Sequence, residues 1–140
     1  MSNEQIKHLE FIQAVVTRMA GNSFLLKGWS VTLAVALLGL AAKDSNGRFA
    51  FLALIPPICF WALDAYYLRQ ERLFRKLYDQ VRRLSDAEWS KTGQFNMSTA
   101  GFVGEVSGWF GTLFAPTAFG IHLTVVALVI VILRCLHAAR

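Results

Sequence analysis

Four ionisable side chains, Lys27, Asp64, Glu105 and His122, stand within otherwise apolar sequence, and their types could do chemistry there. A carboxylate and an ammonium in apolar surroundings can clamp two helices together or pass a proton. An isolated charge in such a place is costly, so pairing is the expected solution. Lys27 and Asp64 lie equally far from the middle of Lys43-Asp44-Ser45-Asn46-Gly47-Arg48, a short run of turn formers. A hairpin folded at that turn sets the two at one depth, with Arg18 as a second candidate partner for Asp64. Both would sit near the end of an apolar run, where a long side chain can snorkel to water, which favours the clamp over the relay. Glu105 and His122 are the candidates for lining a passage, although a histidine inside an apolar helix is more often a packing residue.

Other chemistry has no residues to carry it. The sequence holds no glycine loop followed by Lys-Ser or Lys-Thr, no HExxH, no nucleophile elbow and no CxxC. Cys59 and Cys135 have no partner at metal-ligand spacing, so neither a disulfide framework nor a zinc site is expected. The reading is a protein that is not an enzyme, with no catalytic residues, no cofactor site and no metal site.

The elements that must position these side chains are apolar runs. The chain of 140 residues is 55% hydrophobic, and its apolar residues gather in Leu25 to Ala42, Phe49 to Leu68 and Thr117 to Leu133. Each run approaches the ~20 residues that cross a bilayer. Hiding three such helices on all sides within one small soluble domain conflicts with surface-to-volume scaling. The acid-containing stretch before the first run is unlike a signal-peptide n-region, so that run reads as an uncleaved anchor. Lys7, Arg18, Arg69, Arg72, Arg75, Lys76, Arg82, Arg83 and Lys91 fall on one side of such a hairpin. The positive-inside rule makes that side, and the N-terminus, cytoplasmic in a bacterial inner membrane. The same arginines are explained by topology and lipid contact, which leaves nucleic acid an unlikely partner.

Flanking segments complete the expected organisation. Residues 1–22 read as an amphipathic helix opened by Ser2-Asn3-Glu4-Gln5 and closed at Gly21-Asn22, lying on the membrane or against the cytoplasmic helix. Residues 23–68 form the transmembrane hairpin, with Trp29 and Trp61 as interfacial aromatics at a similar level. Pro56-Pro57 falls near mid-depth of the second span and should kink it, as a packing bend, a hinge or a source of free carbonyls. Residues 69–95 form a basic helical segment with Tyr67, Phe74, Leu77, Val81 and Leu84 on one stripe and a capping box at Ser85-Asp86-Ala87-Glu88. In residues 96–140, Gly101, Gly104, Gly108 and Gly111 recur at threes and fours before Pro116 and the third span. On a helix they form one small face for close packing or oligomer contact; the alternative is a glycine-rich loop.

Asn22-Ser23 leading into the first span, and Trp61-Ala62-Leu63-Asp64-Ala65-Tyr66-Tyr67-Leu68-Arg69-Gln70-Glu71-Arg72 closing the second, resemble the SLATT-type membrane proteins of bacterial defence islands. The likeness covers residues 1 to about 90 and is one of architecture. It implies a membrane effector that oligomerises and permeabilises the inner membrane once a partner senses infection. The third span and the glycine stripe depart from a plain two-span pattern. The expected fold is an all-α, polytopic membrane protein with three transmembrane helices and room for a fourth, re-entrant segment. Its expected partners are the lipid bilayer, further copies of itself and a cytoplasmic protein. A non-conducting anchor that recruits a soluble partner through residues 69–95 is the alternative.

Overall fold

Ser2 opens the first helix: its hydroxyl accepts the Gln5 backbone N–H at 3.2 Å. The computed structural model of the chain describes residues 1–44, 51–92 and 95–138, and these are helical with no strand among them. Helix α1 spans Asn3–Asp44 without interruption. At 1.5 Å per residue it is roughly 63 Å long, about twice the hydrocarbon thickness of a bilayer. The break expected at Gly21-Asn22 therefore does not occur, and residues 1–22 are not a separate helix. Buried Gln5, Leu9, Ile12, Val16, Ser23, Ser30, Ala34 and Ala41 explain why. They keep one stripe along the whole rod, and packing along it outweighs the ~1 kcal/mol that a helical glycine costs. Ser23, next to Gly21-Asn22, turns its hydroxyl to Asp64.

Helix α2 spans Ile55–Val81 and packs against α1 along most of its length. Its prolines, Pro56 and Pro57, occupy the first turn. The expected kink in mid-helix is thus a helix start: Phe51 and Leu52 are helical, Ala53 and Leu54 turn, and α2 begins afresh. A first turn has no use for the missing N–H, and proline's fixed φ suits it, so this placement costs little. Ala53 is fully buried against Ala34 and Val129, where only a small side chain lets the turn sit close. The turn 43–48 lies largely outside the described residues.

Past α2, Ser85 caps a single helical turn, α3 (Asp86–Trp89), through a complete capping box with Glu88. The Ser85 hydrogen bonds hold the Glu88 carboxyl below the usual glutamate range. Trp89 joins Leu9, Ile12, Val16, Leu77 and Val81 in the core of this basic end. The Gln5 amide reaches across to the end of α2 and the turn after it, donating to Val81 O at 2.8 Å and Leu84 O at 3.1 Å.

Residues 96–115 are not one helix. A 3-10 turn (Ala100–Phe102), bends, and the short helix α4 (Trp109–Leu113) take its place, with Gly108 as the α4 N-cap. Gly101, Gly104 and Gly108 face open space, and a Cβ at Gly111 would touch only Ser107 Cβ at 3.4 Å. The expected small-residue face is therefore broken up, and among the described residues no helix presses on it. With about 1 kcal/mol lost per glycine and no such partner, a continuous helix has little to hold it. Helix α5 (Pro116–Ala138) closes the fold, burying Ala118, His122 and Val129.

Among the described residues two helices, α1 and α5, are long and apolar enough to cross a membrane. Only 17% and 22% of their most apolar windows are buried inside the chain, which is unlike the core helices of a soluble protein. Their outer faces are Phe24, Leu25, Trp29 and Val35 on α1, and Ile121, Leu128, Val131 and Ile132 on α5. The expected span over residues 49–68 is interrupted at Ala53–Leu54 and does not form a third helix of that kind.

Two outcomes follow from this packing. Gly108→Ala should leave thermal stability within about 0.5 kcal/mol, since nothing lies near the added methyl. His8, buried against Trp89 (5.2 Å between rings) and Phe95 (5.6 Å), has neither ring nitrogen in a well-formed hydrogen bond. Burial pushes its imidazole below the ordinary 6.5, and the Asn96 backbone offsets this only in part. Below that value the unfolded chain takes up a proton that the folded chain resists, so stability is full above pH 6.5 and declines as pH falls toward the depressed value. Thermal unfolding in detergent between pH 7.5 and 5 should show this slope in the wild type and a flatter one in His8→Phe.

Candidate functional site: a buried polar junction of three helices

The carboxylate of Asp64, on α2, has no exposed surface. Lys27 Nζ, on α1, lies 2.7 Å from each of its oxygens. One helical turn earlier, the Ser23 hydroxyl donates to Asp64 Oδ1 and accepts from Lys27 Nζ at 2.7 Å. From the other side His122 Nε2, on α5, comes within 3.3 Å of Asp64 Oδ2. Three helices thus converge on one carboxylate. The Lys27 side chain keeps 16% of its surface exposed, while His122 keeps none.

The local sequence explains these positions. Ser23 and Lys27 are four residues apart and share the inward stripe of α1. His122 continues the inward stripe of α5 between Ala118 and Val129. Its Nε2 faces Asp64, while Nδ1 is buried without a partner. Ser30 Oγ, two turns above Ser23 on the same stripe, is likewise buried without a partner.

Around the junction two indoles tie α4 to α2. Trp61 Nε1 donates to Leu113 O at 2.8 Å, and Trp109 Nε1 donates to Ala62 O at 3.1 Å. Trp61 also stacks edge-on against Phe114, with ring centres 6.1 Å apart.

Lys27, Asp64 and His122 are therefore brought together, and the other candidates are not. Glu105 is exposed at the basic end and pairs with Lys76 at 3.1 Å, far along α2 from His122. Arg18 lines a groove with Tyr78 instead of reaching Asp64. Pro56 and Pro57 start α2 on the other side of the junction. Cys59 and Cys135 are exposed thiols. Ser23 and Trp109 were not singled out by the sequence as members of this site. The spacing Ser23-x-x-x-Lys27 was a readable signal for the first. The second depends on a contact 47 residues away in the chain, which no local pattern records.

Chemically, the Asp64 carboxylate is saturated. Asp64 receives a hydroxyl, an ammonium and an imidazole, so its charge is answered without water. Among the described residues no group of three or more His, Cys, Asp or Glu could hold a metal ion. No protein family matches the chain, and neither the curated proteins nor the solved structures show a match to it.

Removing one member of a buried pair costs about 3–5 kcal/mol, because the other charge is left unanswered. Asp64→Asn should lower stability in detergent by an amount of that order. The double variant Lys27→Met, Asp64→Leu should recover much of the loss. A double variant that merely sums the two single losses would show that the residues are not coupled.

Proposed function

We propose that the protein is an oligomeric inner-membrane effector or channel-like component, with its N-terminus in the cytoplasm. In this reading α1 and α5 cross the bilayer, and residues 51–68 cross as a third span broken at Ala53–Leu54. The observation that carries it is the continuity of α1. One rod runs from the basic core around Leu9 and Trp89 into the apolar region, and the Asp64 junction pins it to α2 and α5. A displacement of the basic end is then transmitted into the membrane segment without a flexible joint to absorb it. The outward apolar faces of α1 and α5 leave room for lipid and for neighbouring copies. Several copies are required for conduction, because three thin helices cannot enclose a pore. The likeness of residues 1 to about 90 to SLATT-type proteins points to permeabilisation during bacterial anti-phage defence as the use of such a device.

A second reading is favoured by a different feature. An open groove of about 770 Å³ runs along the basic end between Ile6, Leu9, Gln13, Thr17 and Tyr78. Such a groove beside residues 69–95 suits an anchor that recruits a soluble protein and conducts nothing.

Ion efflux from liposomes separates the two. Purified protein reconstituted into potassium-loaded vesicles should release potassium in proportion to its oligomeric fraction, and Asp64→Asn should change that rate. Efflux equal to protein-free vesicles, from protein shown to be inserted and assembled, would leave the anchor as the surviving reading.

A further inference from the structure

The segment from Ser107 to Ala115 is held against α2 in an unusual way: side-chain donors are directed at its backbone carbonyls. Arg69 Nε reaches Ser107 O at 3.3 Å. Within the segment the Thr112 hydroxyl donates to Ser107 O at 3.3 Å; its contact with Gly108 O at 3.0 Å adds to the bond that carbonyl already accepts from the Thr112 N–H. Trp61 covers Leu113 O, the carbonyl that the short helix α4 leaves without an intrahelical partner. In water such carbonyls need no protein donor. In hydrocarbon they do, because each unpaired carbonyl costs several kcal/mol, and irregular backbone survives there only when neighbours satisfy it.

The outward side of the same segment is apolar. Phe110 and Phe114 are 74% and 65% exposed, among the most exposed large side chains of the chain. Along α2 the anchor points run from Lys76 through Arg69 to Ala62 and Trp61, while along the segment they run from Glu105 through Ser107 to Trp109 and Leu113. The segment thus descends from a level marked by charges to one marked by tryptophans, and α5 begins from there. Arg72 and Arg75 flank the upper level on α2, where lipid phosphates would lie.

We propose that residues 107–115 are a lipid-docking strap, and that the occupant of the Phe110 and Phe114 face is the cytoplasmic leaflet of a bilayer at its headgroup and acyl boundary. This rests on the membrane reading of α1 and α5. The segment leads directly into the apolar helix α5, cations lie at its upper edge as phosphate requires, and Ser107 O and Leu113 O on its inner side are already satisfied.

Nitroxide labelling of the full chain in liposomes tests it. In a background of Cys59→Ala and Cys135→Ala, single labels are placed through Phe110→Cys, Phe114→Cys, Glu105→Cys and Leu128→Cys. Power-saturation spectra then compare collision with oxygen, which concentrates in lipid, and with a water-soluble nickel chelate. The ratio of oxygen to nickel accessibility should be severalfold higher at 110 and 114 than at 105, and close to that at 128. Ratios at 110 and 114 equal to that at 105, with 128 still lipid-like, would overturn the strap and leave the membrane reading intact. Shielding of 110 and 114 from both reagents would also overturn it, by giving that face a protein neighbour. A water-like ratio at 128 would remove the membrane reading and the strap together.

Discussion

A carboxylate with no water around it has to be answered by fixed neighbours, and Asp64 is such a carboxylate. Its three donors come from two other helices, Ser23 and Lys27 on α1 and His122 on α5. The requirement sets the register of the bundle. Sliding α1 by one turn past α2 would replace Lys27 with a residue that cannot pair, and an unanswered buried charge is worth several kcal/mol against such a slip. Elsewhere the contacts are permissive. Ala34, Ala53 and Val129 meet through apolar surfaces that would accept several alignments. The polar junction selects one of them, which is the use of buried polarity best attested in packed helices.

The second constraint is the backbone. Two regions abandon regular helix where the surroundings are apolar, the turn at Ala53–Leu54 and the segment from Ser107 to Ala115. They solve the same difficulty differently. At the turn the prolines supply residues that have no N–H to satisfy, and Leu54 N–H bonds to Phe51 O at 3.1 Å. In the strap the freed groups are carbonyls, and donors from Trp61 and Arg69 are brought to them, with the Thr112 hydroxyl helping at Ser107 O. Trp61 stands three residues from Asp64, so a single turn of α2 orients both the charged junction and the strap. A change in the tilt of α2 would therefore be felt in α1, α4 and α5 at once.

How much of this was legible in the sequence depended on whether the signal was local or relational. The meeting of Lys27 and Asp64 could be read because a hairpin fixes depth by counting from its turn. The capping box at Ser85 and the Ser2 cap could be read because a cap is written in four residues. The continuity of α1 was obscured by Gly21-Asn22: a breaker pair is a strong local signal, and the stripe from Gln5 to Ala41 that overrides it only counts when summed over ten turns. Pro56-Pro57 marks an irregularity, yet whether prolines bend a helix or begin one depends on what precedes them, here a buried Ala53 that lets the chain turn. The glycine stripe misled for a related reason. Periodicity says which residues would share a face if a helix formed, and it is silent on whether a partner exists to hold that helix together.

His122 is the instructive case between these extremes. Its sequence neighbours are all apolar, so the residue type alone offered a packing histidine or a passage. The structure gives it one hydrogen bond, to Asp64, and leaves Nδ1 buried without a partner. That asymmetry makes α5 the least firmly held of the three helices at the junction. Lys27 brings a full charge at 2.7 Å to both carboxylate oxygens, whereas the His122 ring reaches only one of them, at 3.3 Å. If the protein changes shape, the hairpin of α1 and α2 is the part that should stay intact, and α5, joined to it by the strap and by His122, is the part free to shift against it.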